Sequence, residues 1–397
     1  MKKLLAVLLT LCVLCSLFGA VAAQDDFKVG LICVHDENTG YDEAHMHGFY
    51  TALEELGIPN DEDHVKVIPN IPESEECYDA CVDLAEWGAN LVISDSYGHQ
   101  AFTAQAAAEY PEISFIAATG DTAWKEELEN FGNMFPHTYE SRYVSGVVAG
   151  LKLAEMLADG SATDPYIGYV GAYPYAEVKS GYTGFFLGIR SIVPDAHMDV
   201  IYTNSWFDPT AEYEAANALM ARGCVIIGQH ADSTGAPLAV QEAKDNGKAV
   251  YSVGYNIDML QAAPTAALTS AQNNWSVLYK DVIARVMAGE GVLTDVSYGY
   301  ADGANMISQL GPEVAEGTAD KVAEVESAIK DGSLKVFDTK TFTVAGEEVT
   351  QCFALDSDGD WAPDTYEAIV DGYFHESEAI SAPAFAFVID GITEITN

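Results

Sequence analysis

The chain has 397 residues, of which 49% are hydrophobic, so it can bury the cores of two domains. It carries 61 acidic and 18 basic residues, which gives a formal net charge of −43 at pH 7. A surface of this sign repels nucleic acids and anionic lipid head groups, and we expect no nucleic-acid partner. We therefore expect a small ligand that is neutral or cationic rather than polyanionic.

Residues 1–23, MKKLLAVLLTLCVLCSLFGAVAA, have the pattern of a secretory signal peptide. Two lysines precede a short apolar run, and the small residues at its end predict cleavage near Ala22 or Ala23. The run is too short to favour a membrane span, and no later stretch of sequence approaches the ~18 apolar residues that a span needs. These features predict an extracytoplasmic protein, either secreted or held at the outer face of the cell membrane.

Short apolar runs alternate with helical patterns between residues 27 and 255. The predicted strands include FKVGLICV, NLVISD, ISFIAAT, PYIGYVGAY, MDVIYTNS, CVIIGQ and AVYSVGY. This alternation is typical of α/β proteins, in which helices cover both faces of a parallel sheet. Because there are too many strands for one small sheet, the sequence predicts two Rossmann-like lobes. After residue 295 it predicts a helix at 313–331, hairpin strands in LKVFDTKTFTVAG and QCFALD, and an irregular tail.

The loops that follow the predicted strands are rich in polar and aromatic residues. In open parallel sheets, ligands bind at the carboxyl ends of the strands, so these loops are the candidate binding segments. Aromatic rings and neutral amides there suit a flat, polar, uncharged ligand. The candidate ligand-binding residues that come from these loops are Asp36, Asn38, Tyr97, Tyr175, His230 and Asp232.

Several long segments together resemble the basic membrane protein family of purine nucleoside receptors. They are ESRYVSGVVAGLKLAEML, GYVGAYPYAEVKSGYTGFFLGIRSIVPDA, YTNSWFDPTAEYEAANALMARGCVIIGQHADSTGAP and VGYNID. The resemblance covers roughly residues 27–295 and implies a type I periplasmic-binding-protein fold with an interlobe cleft. It implies the substrate-binding component of an ABC importer, a monomer whose partners are a nucleoside-like ligand and an ABC permease. It implies no enzymatic activity and no required cofactor.

The resemblance also implies which residues grip a purine. The base is held between two aromatic rings, and these positions fall on Tyr41 and Trp206, with Asp42 at the polar position after the first ring. Asp121 falls on the acid that recognises the base. The alternative for Trp206 is that it only packs on the start of the helix that Asp208 and the following proline begin.

Two positions depart from the pattern of the family. Its ribose-contacting motif reads Gly-Tyr-Asn-Ile-Asp here, so that Asn256 replaces the first acid and Asp258 keeps the second. The family's lysine falls on Asn273. An acid and a base have both become neutral, which leaves the sugar, and whether the ligand is a nucleoside at all, open.

The resemblance sets the expected domain boundaries. The first lobe comprises 27–138 plus 262–298, and the second lobe comprises 139–261 plus 299–350. Residues 351–397 form a C-terminal extension that we expect to pack on the second lobe.

Two other functions remain open at this point. The same fold could serve a sugar or another small neutral solute, or the chain could be a secreted hydrolase that uses paired carboxylates. The sequence has no G-x-S-x-G elbow, H-E-x-x-H pair or phosphate-binding loop, but carboxylate pairs are not excluded in a chain so rich in acids. Product formation from a nucleoside would indicate the enzyme, and recovery of intact ligand would indicate the receptor.

The segment DSDGDWAPDTYE, residues 356–367, has the spacing of a calcium-binding loop. Trp361 stands where the sharp turn of such a loop needs glycine, so chance clustering of acids is the alternative. The possible ligands of a structural calcium ion are Asp356, Asp358, Asp360, Asp364 and Glu367.

Overall fold

The computed structural model describes residues 26–356 and 362–395. The predicted signal peptide therefore lies outside the described residues, as do Asp358 and Asp360 of the predicted calcium loop. The chain falls into two compact units. Among the described residues, the first unit comprises 26–36, 46–134 and 276–295, and the remaining residues form the second unit.

Strands and helices alternate through most of the chain, as the sequence predicts. The first elements are β1 (Val29–Ile32), α1 (Gly40–Leu56), β2 (Val65–Ile68), α2 (Glu75–Glu86), β3 (Leu91–Ser94), α3 (Gln100–Glu109), β4 (Ser114–Ala118), α4 (Ala123–Glu126), β5 (Phe131–Met134), α5 (Thr138–Asp159), β6 (Tyr166–Gly171), α6 (Ala176–Arg190), β7 (His197–Tyr202), α7 (Pro209–Arg222) and β8 (Ile226–His230). The later elements are α8 (Gly235–Asp245), β9 (Tyr251–Tyr255), β10 (Ala267–Asn273), α9 (Trp275–Met287), β11 (Asp295–Val296), β12 (Asn305–Ile307), α10 (Thr318–Lys330), β13 (Phe353–Leu355), β14 (Thr365–Glu367), β15 (Ile369–Val370), β16 (Tyr373–Phe374) and β17 (Ile392–Ile395).

The first unit is built on a six-stranded sheet with the order β11-β5-β4-β3-β1-β2. The four pairings from β5 to β2 are parallel, and Val29 of β1 lies opposite Val65 of β2 on one side and Leu91 of β3 on the other. Every residue of β1 and β3 is buried. Strands that are covered on both faces need continuous apolar runs, which explains why these segments are apolar without alternation.

The second unit is built on a seven-stranded sheet with the order β12-β10-β9-β8-β6-β7-β17. Within this sheet, each pair of neighbours from β10 through β9, β8, β6 and β7 to β17 is parallel. The edge strand β12 pairs antiparallel with β10. Helices α5 and α6 pack so closely that a Cβ added to Gly146 would lie 2.1 Å from the backbone oxygen of Phe185. Because β6, β7, β8 and β9 pair in parallel, their carboxyl ends lie along one edge of this sheet.

The boundaries of the units differ from those predicted for the lobes. The segment 262–275, which the sequence placed in the first lobe, belongs to the second unit. Its strand β10 pairs with β9 through Ser270 and Gly254. A local sequence pattern predicts a strand but does not specify its neighbours, and this explains the difference.

The C-terminal region also differs from the expectation. The segment LKVFDTKTFTVAG forms turns and an isolated bridge between Val344 and Glu347 rather than a hairpin strand. QCFALD does contribute β13, which pairs with β14. The predicted irregular tail ends in β17, which adds a parallel strand beside β7. The extension is thus part of the sheet of the second unit.

Candidate functional site

In the first unit, Asp121 lies in a hydrogen-bonded cluster after β4. The hydroxyl of Tyr97 donates to Asp121 Oδ2 at 2.9 Å, and the side-chain amide of Gln100 donates to Oδ1 at 3.2 Å. The Gln100 side chain also accepts the backbone N–H of Asp121 at 2.8 Å. The structure thus brings together Tyr97 and Asp121, two of the predicted residues. Asp36 lies in the loop after β1, where the Asn70 amide is 3.5 Å from it.

In the second unit, Trp206 lies in a cluster of three aromatic rings in the loops that follow β6 and β7. The rings of Tyr173 and Tyr175 stack with their centroids 5.1 Å apart and their planes 14° apart. The Trp206 ring meets Tyr173 edge-on at 5.1 Å, and its centroid lies 6.1 Å from that of Tyr175. Trp206 is partly buried, whereas Tyr175 is 49% exposed. The cluster thus offers aromatic surface that is partly accessible, at Tyr175 and Trp206, and that packs on Tyr173. Such a surface suits stacking with a planar ligand.

The loop that carries Trp206 is fixed by its neighbours in sequence. Asp208 is the N-cap of α7, because its side chain accepts the backbone N–H groups of Thr210 and Ala211 at 3.1 and 2.9 Å. Pro209 occupies the first turn, where it costs no hydrogen bond. Asn204 takes a left-handed conformation with φ of 56°, which turns the chain after β7. The helix start predicted from the sequence is confirmed.

Asp232 and Asn256 form a buried pair at the ends of β8 and β9. The side-chain amide of Asn256 donates to Asp232 Oδ1 at 2.7 Å, and both residues are less than 10% exposed. Burial raises the pKa of Asp232 well above its ordinary value, and the neighbouring carboxylate of Glu212 adds to this effect. The backbone N–H of Asp232 donates to Trp206 O at 2.8 Å, so the pair adjoins the aromatic cluster.

His230 ends β8 beside this pair. Its Nε2 lies 3.3 Å from a carboxylate oxygen of Glu177, and its ring centroid lies 4.8 Å from that of Tyr255. Arg142 lies almost completely buried nearby, with its guanidinium carbon 3.6 Å from the centroid of Tyr255 and Nη1 donating to Gln229 O at 2.6 Å. Burial, together with the charge of Arg142, lowers the pKa of His230 well below its ordinary value. His230 is therefore neutral at physiological pH.

The N-terminal segment of the second unit carries Tyr41 and Asp42. The Tyr41 ring packs 4.4 Å from His45, and that histidine lies 3.7 Å from the ring of Trp275. Asp42 is fully buried and accepts the hydroxyl of Thr39 at 2.6 Å. Burial lowers the pKa of His45 to about 3, and Asp42 only partly opposes this, so the ring is neutral. The structure thus places Tyr41 on a packed, uncharged support.

The remaining predicted residues have internal partners or are exposed. Asn273 Oδ1 accepts the hydroxyl of Thr138 at 3.1 Å and the amide of Asn305 at 2.9 Å. Asp258 accepts the backbone N–H of Leu260 at 2.9 Å, which is the bond of a loop cap. Asn38 is exposed.

The described acids of the predicted calcium loop already have protein partners. Glu367 accepts the backbone N–H of Cys352 and the amide of Gln351, each at 2.9 Å. Asp364 accepts the hydroxyl of Thr365 at 2.7 Å. Asp356 ends the described part of the chain before the loop. A calcium ion at this loop stays a prediction.

Sequence reasoning missed several residues of this region, including Tyr173, Arg142, Glu177 and Glu212. Tyr173 lies in a strand-end loop that was already a candidate, so its ring could have been included. Arg142 and Glu212 lie within helices, and a helical pattern does not show that either side chain reaches the ends of the strands.

Comparison with known proteins gives consistent matches. Residues 31–339 match the sequence profile of a family described as Bmp, ABC transporter substrate-binding protein PnrA-like. A purine-binding protein of Brucella abortus is 32% identical over 322 residues, which cover 80% of this chain and 85% of that protein. A Haloferax volcanii protein assigned as an ABC transporter glucose-binding protein is 32% identical over 264 residues, 66% of this chain and 63% of that protein.

The fold is also that of known solute-binding proteins. The structure of an ABC transporter solute-binding protein from Aeropyrum pernix matches with a TM-score of 0.65 and 19% identity. The match covers 78% of this chain and 93% of that one. At this identity, the likeness shows the fold alone, and the predicted type I periplasmic-binding-protein fold is confirmed.

Proposed function

Because this chain belongs to the family of PnrA-like ABC transporter substrate-binding proteins, we propose that it binds a purine nucleoside or a related neutral planar solute for import. The observation that carries this proposal is the aromatic cluster around Trp206, which adjoins the buried Asp232–Asn256 pair. An aromatic ring binds the face of a planar base, and buried polar groups beside it read the edge. The purine-binding relative supports the same ligand class.

Each candidate residue makes a distinct contact in this proposal. Trp206 stacks on one face of the ligand and Tyr41 on the other, while Tyr175 closes over the edge of the stack. In the first unit, Asp121, held by the Tyr97 hydroxyl, is an acceptor for a polar ligand group. Neutral His230 and Asn256 offer uncharged hydrogen bonds, which fits a ligand without charge.

The chain acts as a receptor in this proposal and releases its ligand unchanged to a permease. An exported location is supported by the family, whose members serve ABC transporters, and by the signal-peptide pattern of residues 1–23. Across the described residues, no helix is both long enough and apolar enough to cross a membrane.

A sugar is the second candidate ligand, because one relative is assigned as glucose-binding. A thermal-shift screen of purine nucleosides, purine bases and monosaccharides separates the two. A ligand at a hundredfold excess over its dissociation constant stabilises the folded protein by about 2.7 kcal/mol. We expect a nucleoside or base to raise the melting temperature, and a shift with sugars alone would contradict the purine assignment.

A further inference from the structure

Glu212 is a fully buried carboxylate in α7 that ties two strand-end loops together. Its Oε1 accepts the backbone N–H of Asp208 at 3.3 Å and that of Ser233 at 3.2 Å, and Oε2 lies 3.3 Å from the same Ser233 nitrogen. Asp208 lies two residues after Trp206, and Ser233 directly follows Asp232. One side chain thus holds the backbone of both loops.

Two further contacts show that the loops form one arrangement. The N–H of Asp232 donates to Trp206 O at 2.8 Å, which joins the loops directly. A Cβ on Gly235, the first residue of α8, would lie 2.3 Å from Pro209 O and 3.1 Å from Glu212 Cβ. The starts of α7 and α8 therefore approach so closely that only glycine fits, and Glu212 lies at this junction.

We propose that Glu212 is a positioning residue that sets ligand affinity by holding the Trp206 loop and the Asp232 loop in one arrangement. The inference rests on the proposed function, because these loops carry its stacking ring and its buried acid. Glu212 is buried and acts through the two backbone bonds. A buried carboxylate is costly unless it is hydrogen-bonded, so an acid at an inward helix position indicates that these bonds are needed.

The charge state of Glu212 provides a readout that simple packing would not give. Burial raises its pKa to about 7, the bonds from Ser233 and Asp208 oppose this rise, and the Asp208 carboxylate adds to it. The charges of Glu212 and Asp232 act on each other, and the charges of Asp42, Glu177 and Arg142 also act on Asp232. The ionised carboxylate is the stronger acceptor, so Glu212 holds the two loops best above pH 7.

Backbone amide hydrogen exchange of the full chain without ligand tests the positioning role. We expect Glu212→Ala to speed exchange in the Trp206 loop and in the Asp232 loop together, by about tenfold or more. Glu214→Gln, on the exposed side of the same helix, is the matched control and should change neither loop. Exchange that speeds up in one loop only, or in neither, would overturn the proposal. If the alanine variant does not fold, Glu212→Gln decides by the same criterion.

Adenosine affinity over a pH series tests the consequence for binding. We expect Glu212→Gln to weaken binding about tenfold at pH 8, as the loss of a charge-assisted bond predicts. Below pH 6 the difference should shrink, because the parent carboxyl is then protonated and neutral like the amide. A ratio of dissociation constants that does not change with pH would overturn the proposal. If the parent binds neither adenosine nor any other purine nucleoside or base, the proposed function fails, and hydrogen exchange still decides the role of Glu212.

Discussion

The Asn256 side-chain amide donates a hydrogen bond of 2.7 Å to the Asp232 carboxylate, inside a site where both residues are buried. Asn256 reaches this position from a left-handed backbone conformation, with φ of 63°. The resemblance to nucleoside receptors places an acid at this position, and here that acid would face a second buried acid. A neutral amide instead gives the Asp232 carboxylate a hydrogen-bond donor rather than a further like charge.

We expect Asn256→Asp to destabilise the protein more at high pH than at low pH. Two buried carboxylates at this distance cannot both ionise without strong repulsion, so their pKa values rise in the folded state. An acid whose pKa is raised by folding loses stability as the pH increases above its unfolded value of about 4. Melting temperatures from pH 4 to pH 8 measure this.

The matched control is the double exchange Asp232→Asn with Asn256→Asp, which restores one acid and one amide. Its melting temperature should follow the pH dependence of the parent. An equal loss at pH 4 and pH 8 for the single variant would show that packing, and not charge, is responsible.

Replacement of Trp206 by alanine should weaken adenosine binding roughly ten- to hundredfold, because base–aromatic stacking contributes about 1–3 kcal/mol. Trp206→Phe keeps a ring and should lose less. Phe207→Ala is the neighbouring control and should have a smaller effect than Trp206→Ala. Fluorescence or calorimetric titration of the folded variants measures the affinities, and parent-like binding by Trp206→Ala would show that the ring only packs.

We expect little discrimination between adenosine and 2′-deoxyadenosine, a preference of less than about tenfold or 1.4 kcal/mol. A charged acid–lysine pair would grip ribose hydroxyls with charge-assisted bonds, but Asn256 and Asn273 are neutral. The Asn273 oxygen also already accepts bonds from Thr138 and Asn305. Calorimetric titration with both nucleosides tests this, and a preference for ribose of a hundredfold or more would contradict it.

The C-terminal strand should contribute to stability through Glu394. Its Oε1 accepts the hydroxyls of Tyr182 at 3.0 Å and Tyr202 at 2.6 Å, and Lys179 lies 3.4 Å away. Although burial alone would raise the pKa of Glu394, these partners hold it below its ordinary value. Its contribution is therefore present above the unfolded pKa of about 4.3 and is lost as the pH falls through the lower, folded value.

Glu394→Ala would leave two tyrosine hydroxyls without their acceptor, which we expect to cost about 1–3 kcal/mol of unfolding free energy. Thr393→Ala, at the exposed neighbour, is the control and should cost little. Urea unfolding measures both. Equal stability of the two variants would mean that the Glu394 bonds do not stabilise the fold.

Local signals explain why much of the fold could be predicted from the sequence. Buried parallel strands need apolar runs, and the start of a helix at Asp208 and Pro209 can be predicted from those two residues alone. The pairing of β17 with β7 and the position of β10 in the second sheet could not be predicted. Each depends on contacts between residues that are distant in sequence, and several registers satisfy the same local pattern.

The residues of the candidate site also fall into those that local sequence signals predict and those that they do not. His230 and Asp232 could be predicted because they follow a strand predicted from the sequence, where a known rule places ligands, and Trp206 could be predicted from the resemblance to the family. Glu212 was missed because its sequence context is that of an ordinary amphipathic helix, although its carboxylate reaches two loops. Asp258 was predicted to bind ligand, and the structure gives it the backbone bond of a loop cap. Contact between Asp258 and a ligand stays a prediction, because sequence alone does not separate these two uses of a polar loop residue.

Isothermal titration calorimetry of the protein with adenosine, followed by recovery of the nucleoside, is the decisive test of nucleoside binding. We expect saturable binding to one site per chain, with adenosine recovered intact, and much weaker binding by Trp206→Ala. D-glucose should give no comparable heat under the same conditions. Saturable binding of glucose without binding of adenosine would contradict the purine assignment, and conversion of adenosine to products would contradict the receptor assignment.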